Sequence, residues 1–176
     1  MSTKLSGKVD LTAIIDALPG ALERNVLRGG LRAAADVYAD GAREECRSPE
    51  VRATIKTSSR AEKGFVTAKV QTKGPGSFKA PWLEYGTSEH YISVDDEAGE
   101  GRTVRRINTL VREGSLVIGG KFVGRSVLHP GARPYPFFRP AVDTREQQAV
   151  DAFTAYVVRR ATKEGIFTPA PEEPDE

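Results

Sequence analysis

HPGARPYPFFRPAVD, residues 129–143, holds four of the chain's eleven prolines, two adjacent phenylalanines and one of its two histidines. Each proline fixes φ, removes a backbone donor and pushes the preceding residue into extended geometry. Arg133-Pro134 and Tyr135-Pro136 therefore define a stiff strap that cannot lie in the middle of a sheet. The strap delivers Phe137 and Phe138 at a fixed place, and Pro140 suits the first turn of a helix. It reads as the lead-in to the last helix, with the aromatics pinning that helix to a sheet.

Downstream, Val142, Ala149, Val150, Phe153 and Val157 form one apolar stripe, with Arg159, Arg160 and Lys163 in the final turns and Gly165 placed to cap. This predicts a helix over about 140–164. Beyond it, IFTPAPEEPDE (166–176) is proline-rich and acidic, a composition that predicts a flexible tail, mobile or borrowed by a neighbour. Upstream, residues 10–47 are rich in Ala, Leu, Arg and Glu, and Leu22, Val26, Ala33, Val37, Tyr38 and Ala42 recur at roughly helical spacing. Pro19 separates a short leading turn from a long helix over about 20–47, Gly29-Gly30 is a soft point at which it could bend, and Ser48-Pro49 stops it. VRATIKT (51–57) and GFVTAKVQT (64–72) alternate apolar and polar residues and predict two half-buried strands joined by the SSRAEKG loop. Val104, Ile107 and Val111 fit a short amphipathic helix, and SLVIGGKFVG (115–124) fits a hairpin around Gly119-Gly120. No internal repeat is visible. The expectation is an α+β fold: long N- and C-terminal helices on a mainly antiparallel sheet built from 51–57, 64–72 and the 115–124 hairpin. It would form a single domain over 1–165, with 88–128 as a variable loop and hairpin region.

Composition excludes several function classes. The net charge is +2, and +6 without the terminal acids Glu172, Glu173, Asp175 and Glu176, short of a dedicated nucleic-acid binder. Cys46 is the only cysteine, so there is no disulfide framework and no thiolate cluster. No secretory h-region and no apolar run of about 18 residues appears, which predicts a soluble chain without membrane partners, suited to a reducing cytosol. His90 and His129 lie in neither a zinc motif nor a hydrolase signature, and no GxSxG or Walker loop is present. His129 before Pro130-Gly131 reads as a turn residue whose ring bonds nearby backbone. The expectation is no enzyme, no metal and no cofactor. Trp82 and Tyr85, with Phe137 and Phe138, read as core or interface anchors.

Charge is sorted between Ser88 and Leu128: Glu89, Asp95, Asp96, Glu97 and Glu100 precede Arg102, Arg105, Arg106, Arg112, Lys121 and Arg125. Within one copy such neighbours could neutralise each other. Between copies, Asp95, Asp96 and Glu97 facing Arg102, Arg105 and Arg106 would set orientation and register, and this is the favoured reading.

Two motifs carry a resemblance. Glu84-Tyr85-Gly86-Thr87, followed by Ser88-Glu89-His90, and then His129-Pro130-Gly131 leading to Pro136-Phe137-Phe138-Arg139-Pro140-Ala141, resemble the E-[FY]-G-T and HPG…PFxRPA signatures of the neck or tail-completion proteins of long-tailed bacteriophages, also called minor tail components. The likeness covers roughly residues 10–162. Arg47-Ser48-Pro49-Glu50-Val51 stands where that family commonly has an R-T-G-x-L turn. The resemblance implies a non-enzymatic structural component of the virion neck, assembled in the host cytoplasm. It implies a homo-oligomeric ring that helps join tail to capsid and meets a head-closure or connector protein on one side and the tail terminator or tail tube on the other. Nucleic acid is then not a partner beyond DNA passing through the channel. The alternatives are the tail terminator itself, capping the tube, and a small nucleic-acid-binding packaging accessory factor. Independently of the resemblance, EYGT reads as a turn in which Gly86 takes positive φ and the Thr87 hydroxyl or Glu84 carboxylate bonds neighbouring backbone donors.

Overall fold

In a computed structural model of the chain, residues 10–62, 65–93, 116–118, 120–124 and 126–168 are described. The protein is α+β, and its described residues group into two compact units, one drawn from 1–84 with 135–176 and the other from 85–134. The chain passes between the units twice.

The first unit is organised by two 26-residue helices, α2 (Gly20–Glu45) and α5 (Phe138–Lys163), packed along each other. They run antiparallel, because Ala39 and Ala42 near the end of α2 share a core with Phe137 and Ala141. Val26, near the start of α2, meets Val157, Val158 and Ala161 at the far end of α5. The seam is lined by small residues, so the backbones approach closely. A methyl group on Gly30 would come within 2.9 Å of the Phe153 ring. The expected soft point at Gly29-Gly30 is therefore no interruption: α2 runs through it, and the glycines make room for Phe153 and Tyr156.

Short elements close both ends. The carboxylate of Asp10 accepts the amides of Thr12 and Ala13 and caps α1 (Leu11–Asp16), which adds Ile14 to the far core. At the end of α5, Gly165 takes φ +71°, its amide reaches the Thr162 carbonyl, and the Ile166 amide reaches Ala161 at 2.9 Å. This is a Schellman stop, in which the left-handed residue lets the next amides satisfy orphan carbonyls. Ile166 and Phe167 pack into the far core, so the ordered chain runs beyond Gly165, further than composition indicated. Residues 169–176 lie outside the described residues.

The first strand begins later than expected. Residues 49–52 form a helical turn, α3 (Pro49–Arg52), because the Ser48 hydroxyl accepts the Val51 amide and Pro49 sits in the first turn. These local capping signals override the Val51/Ala53 alternation, and Val51 is buried from the turn. Strand β1 (Ile55–Glu62) pairs antiparallel with β2 (Phe65–Thr72), from Ile55 opposite Thr72 to Glu62 opposite Phe65. Most of the expected SSRAEKG loop is thus strand. Thr57 and Ser59 with Val66, Ala68 and Val70 form the half-buried face on the α2 side. The Thr57 hydroxyl donates to Asp36 at 2.5 Å, and Arg43 donates to the Ile55 carbonyl at 2.9 Å, which ties the hairpin to α2. A 3₁₀ turn (Ser77–Lys79) leads into α4 (Ala80–Tyr85).

In the second unit, β3 (His90–Ser93) pairs with β6 (Ser126–His129), and β4 (Val117–Ile118) with β5 (Lys121–Phe122). The hairpin expected over 115–124 is present, but it does not extend the β1–β2 sheet. Among the described residues the strands form three separate two-stranded ladders. The helix expected around Val104–Val111 lies outside the described residues.

Candidate functional site: the two motifs and what they hold

Helix α5 starts without a local cap. Its N-cap residue is Phe137, whose side chain accepts nothing, and positions 134–137 offer no Ser, Thr, Asp or Asn. The first amides of a helix have no intrahelical acceptor and need one from elsewhere. Glu84 supplies it from α4: one carboxylate oxygen accepts Phe137 N–H at 2.8 Å and Phe138 N–H at 3.0 Å, and the other accepts Arg139 N–H at 3.3 Å. The Arg139 guanidinium lies 3.8 Å from the same carboxylate. Glu84 is 5 % exposed, so a buried charge is matched by three donors and by the positive end of a helix dipole. The expectation that Glu84 bonds neighbouring backbone is corrected: its partners are 53–55 residues away.

Around this cap, Phe137 is buried against Ala39, Ala42, Cys46, Val51 and Ala80, and Phe138 packs half-buried on the same cluster, 4.6 Å from Phe137 between ring centroids. Phe137 therefore anchors the helix start. The strap before it is held by Tyr135 N–H, which donates to the Leu83 carbonyl at 2.7 Å, and by the Arg47 guanidinium stacked 4.2 Å over the Tyr135 ring. Pro136 and Arg139 are exposed, and Pro140 sits in the first turn of α5 as the sequence indicated.

The remaining motif residues meet within the second unit. Thr87 and Ala132 exchange both backbone hydrogen bonds, at 2.9 and 3.0 Å. The bridge is flanked by Gly86 (φ +71°) and Gly131 (φ +84°), each pressed against the other strand's backbone. A side chain at Gly86 would run into the Ala132 carbonyl, and one at Gly131 into that of Thr87. Positive φ and close approach together demand glycine at both positions. His129 accepts the Gly131 amide on Nδ1 at 3.1 Å, so its ring serves the turn after Pro130. Its cross-strand neighbour His90 has Nδ1 at 2.8 Å from the Ser88 carbonyl and stacks 5.0 Å from His129. Nδ1 therefore donates in His90 and accepts in His129.

Trp82 and Tyr85 are not core residues: they are 53 % and 69 % exposed. The sequence reading missed Phe78, which is 61 % exposed and packs edge-on against Trp82 at 5.6 Å. The spacing of four between Phe78 and Trp82 was the available signal. Among the described residues no three His, Cys, Asp or Glu side chains gather as metal ligands, and no helix is long and apolar enough to cross a membrane. Asp95, Asp96, Glu97, Arg102, Arg105 and Arg106 lie outside the described residues. Comparison with protein-family models, curated proteins and solved structures returns no match.

Proposed function

We propose that this chain is a non-enzymatic virion component of the bacteriophage neck, a tail-completion protein that joins tail to capsid as part of a homo-oligomeric ring. The observation that carries the reading is what the EYGT and HPG…PFFRPA residues do. Glu84 is spent on the α5 amides, His129 on the Gly131 amide, and Gly86 and Gly131 on a close backbone crossing. The Glu84 carboxylate and His129 Nδ1 thus serve backbone and fix a shape, as an assembly protein requires. Exposed Phe78 and Trp82 add apolar surface of the kind that is covered in assemblies. Contact with a connector on one side and a tail terminator or tube on the other belongs to the same proposal, as does a ring register set by Asp95, Asp96 and Glu97 against Arg102, Arg105 and Arg106.

Deleting the coding sequence from the phage or prophage that carries it tests the reading. Filled heads and separate, normal-length tails should accumulate, and added protein should join them. Joined particles in the deletion would overturn the proposal, and tails of uncontrolled length would assign the chain to tail termination instead.

A further inference from the structure

The short helix after β2 has its polarity turned outside in. Ala80 and Glu84 face the interior, while Phe78, Pro81 and Trp82, at helical positions i, i+3 and i+4, are exposed. Lys79 borders this face, its ammonium 5.7 Å from the Phe78 ring and 2.6 Å from Glu50. A surface of edge-packed aromatic rings beside a proline and a cation is the chemistry that receives proline-rich extended peptide. Such peptide is already stiff, so it loses little entropy on docking between aromatic rings.

The chain contains one segment of that composition. Residues 168–176, TPAPEEPDE, carry Pro169, Pro171 and Pro174 with Glu172, Glu173, Asp175 and Glu176. Its starting point is fixed, because Phe167 packs in the far core and its amide bonds the Ala161 carbonyl. The aromatic face lies at the opposite end of α5, since Glu84 of α4 caps that helix at Phe137–Arg139. From Ala161 to Phe138 the helix rises about 35 Å at 1.5 Å per residue. Pro174, seven residues beyond Phe167, reaches at most about 25 Å even at full extension. On the rise of α5 alone, full extension leaves Pro174 about 10 Å short of the level of Phe138, which favours the aromatic face of another copy over its own.

We propose that the proline-rich acidic segment 168–176 of one copy docks on the Phe78–Pro81–Trp82 face of a second copy, linking subunits head to tail. The contact is heterologous, so repeated application closes a ring or runs into a filament. Lys79 already faces a carboxylate, so the four acids act chiefly in steering and polarity of docking, and the aromatic–proline contact supplies most of the affinity. The inference adds a contact to the ring of the neck reading, and its test reads only what two copies do to each other, so it can fail while tail joining stands.

Trp82 is the only tryptophan, so its fluorescence reports on this face directly. The test follows the full-length chain by light scattering and emission over a concentration series, beside a full-length variant with Pro169, Pro171 and Pro174 changed to Ser. In the native chain, mass should rise with concentration while Trp82 emission moves to shorter wavelength in step. In the variant both changes should require about tenfold more protein. Synthetic TPAPEEPDE should restore the emission shift to the variant, and Phe78→Ser on that background should weaken peptide binding by about tenfold. Emission that ignores saturating peptide overturns the proposal. So does mass that rises while Trp82 emission stays fixed, and so does a wavelength difference between native chain and variant that is independent of concentration, which would put the segment on its own copy.

Discussion

The Glu84 carboxylate accepts the backbone N–H of Phe137 at 2.8 Å across a separation of 53 residues, and with Phe138 and Arg139 it satisfies three amides at the start of α5. One side chain thereby caps the helix, beside the Phe137 ring that anchors it in the core. Its removal orphans several donors in a partly buried place, which costs more than losing an ordinary surface cap.

Glu84→Ala should therefore destabilise the chain by about 2–3 kcal/mol, above the usual cap range because one buried and two part-buried donors are stranded. Glu84→Gln keeps one acceptor oxygen and should lose less. Urea unfolding followed by far-UV circular dichroism checks both, and equal stability of Glu84→Ala and native chain would remove the cap from the account.

Phe137→Ala should cost about 3–5 kcal/mol, the range for a fully buried aromatic, whereas half-buried Phe138 should cost clearly less. Thermal melts of the two single variants give the comparison directly. Reversal of the order would mean that the strap seats the other ring.

Gly86→Val places a β-branched side chain at positive φ, against the Ala132 carbonyl. About 1–3 kcal/mol of backbone strain is expected, in addition to the clash. Because the bridge of Thr87 and Ala132 lies beside this glycine, amide exchange at those two residues should accelerate before any change appears in α2 or α5. Unchanged protection there would count against the strained crossing.

Gly30→Leu sets two effects against each other. Leucine gains roughly 0.5–1 kcal/mol of helix propensity over glycine. The α2–α5 seam has no room for it, since the Phe153 ring stands 2.9 Å from where a Cβ would be, and overpacking of this kind costs about 1–3 kcal/mol. Net destabilisation is expected in a denaturant titration, and a gain in stability would show that the seam opens at little cost.

What could be read from the sequence follows the range of each physical signal. Pro19, Pro140 and Gly165 act on their own turns, so both long helices were legible nearly to the residue, and Gly86 at positive φ was legible for the same reason. The start of β1 was misjudged because alternation at Val51 and Ala53 competes with the Ser48-Pro49-Glu50 start signal, and a satisfied cap outweighs two residues of pattern. Gly29-Gly30 looked like weakness because the residues that need the space, Phe153 and Tyr156, are far along the chain. Glu84 was picked out as a motif residue but given the wrong partners. The missing clue was negative: a long helix with no capping residue at 134–137 must find its acceptor elsewhere. The charge blocks at 89–125 are plain in sequence, yet charge order does not reveal whether a partner lies in the same copy or the next.

Leu83 and Tyr135 are joined by a single 2.7 Å hydrogen bond between their backbones, although everything from 84 to 134 is threaded between them. The excursion therefore leaves and returns at one spot, like a cassette plugged into a fixed socket. Lengthening such a loop costs little, about 0.6 kcal/mol for each doubling, because closure entropy grows only with the logarithm of length. The helical frame is in consequence insulated from the fate of the cassette. A change in length between Gly86 and Gly131 therefore costs the frame little, while Glu84, Leu83 and the strap keep the socket as it is.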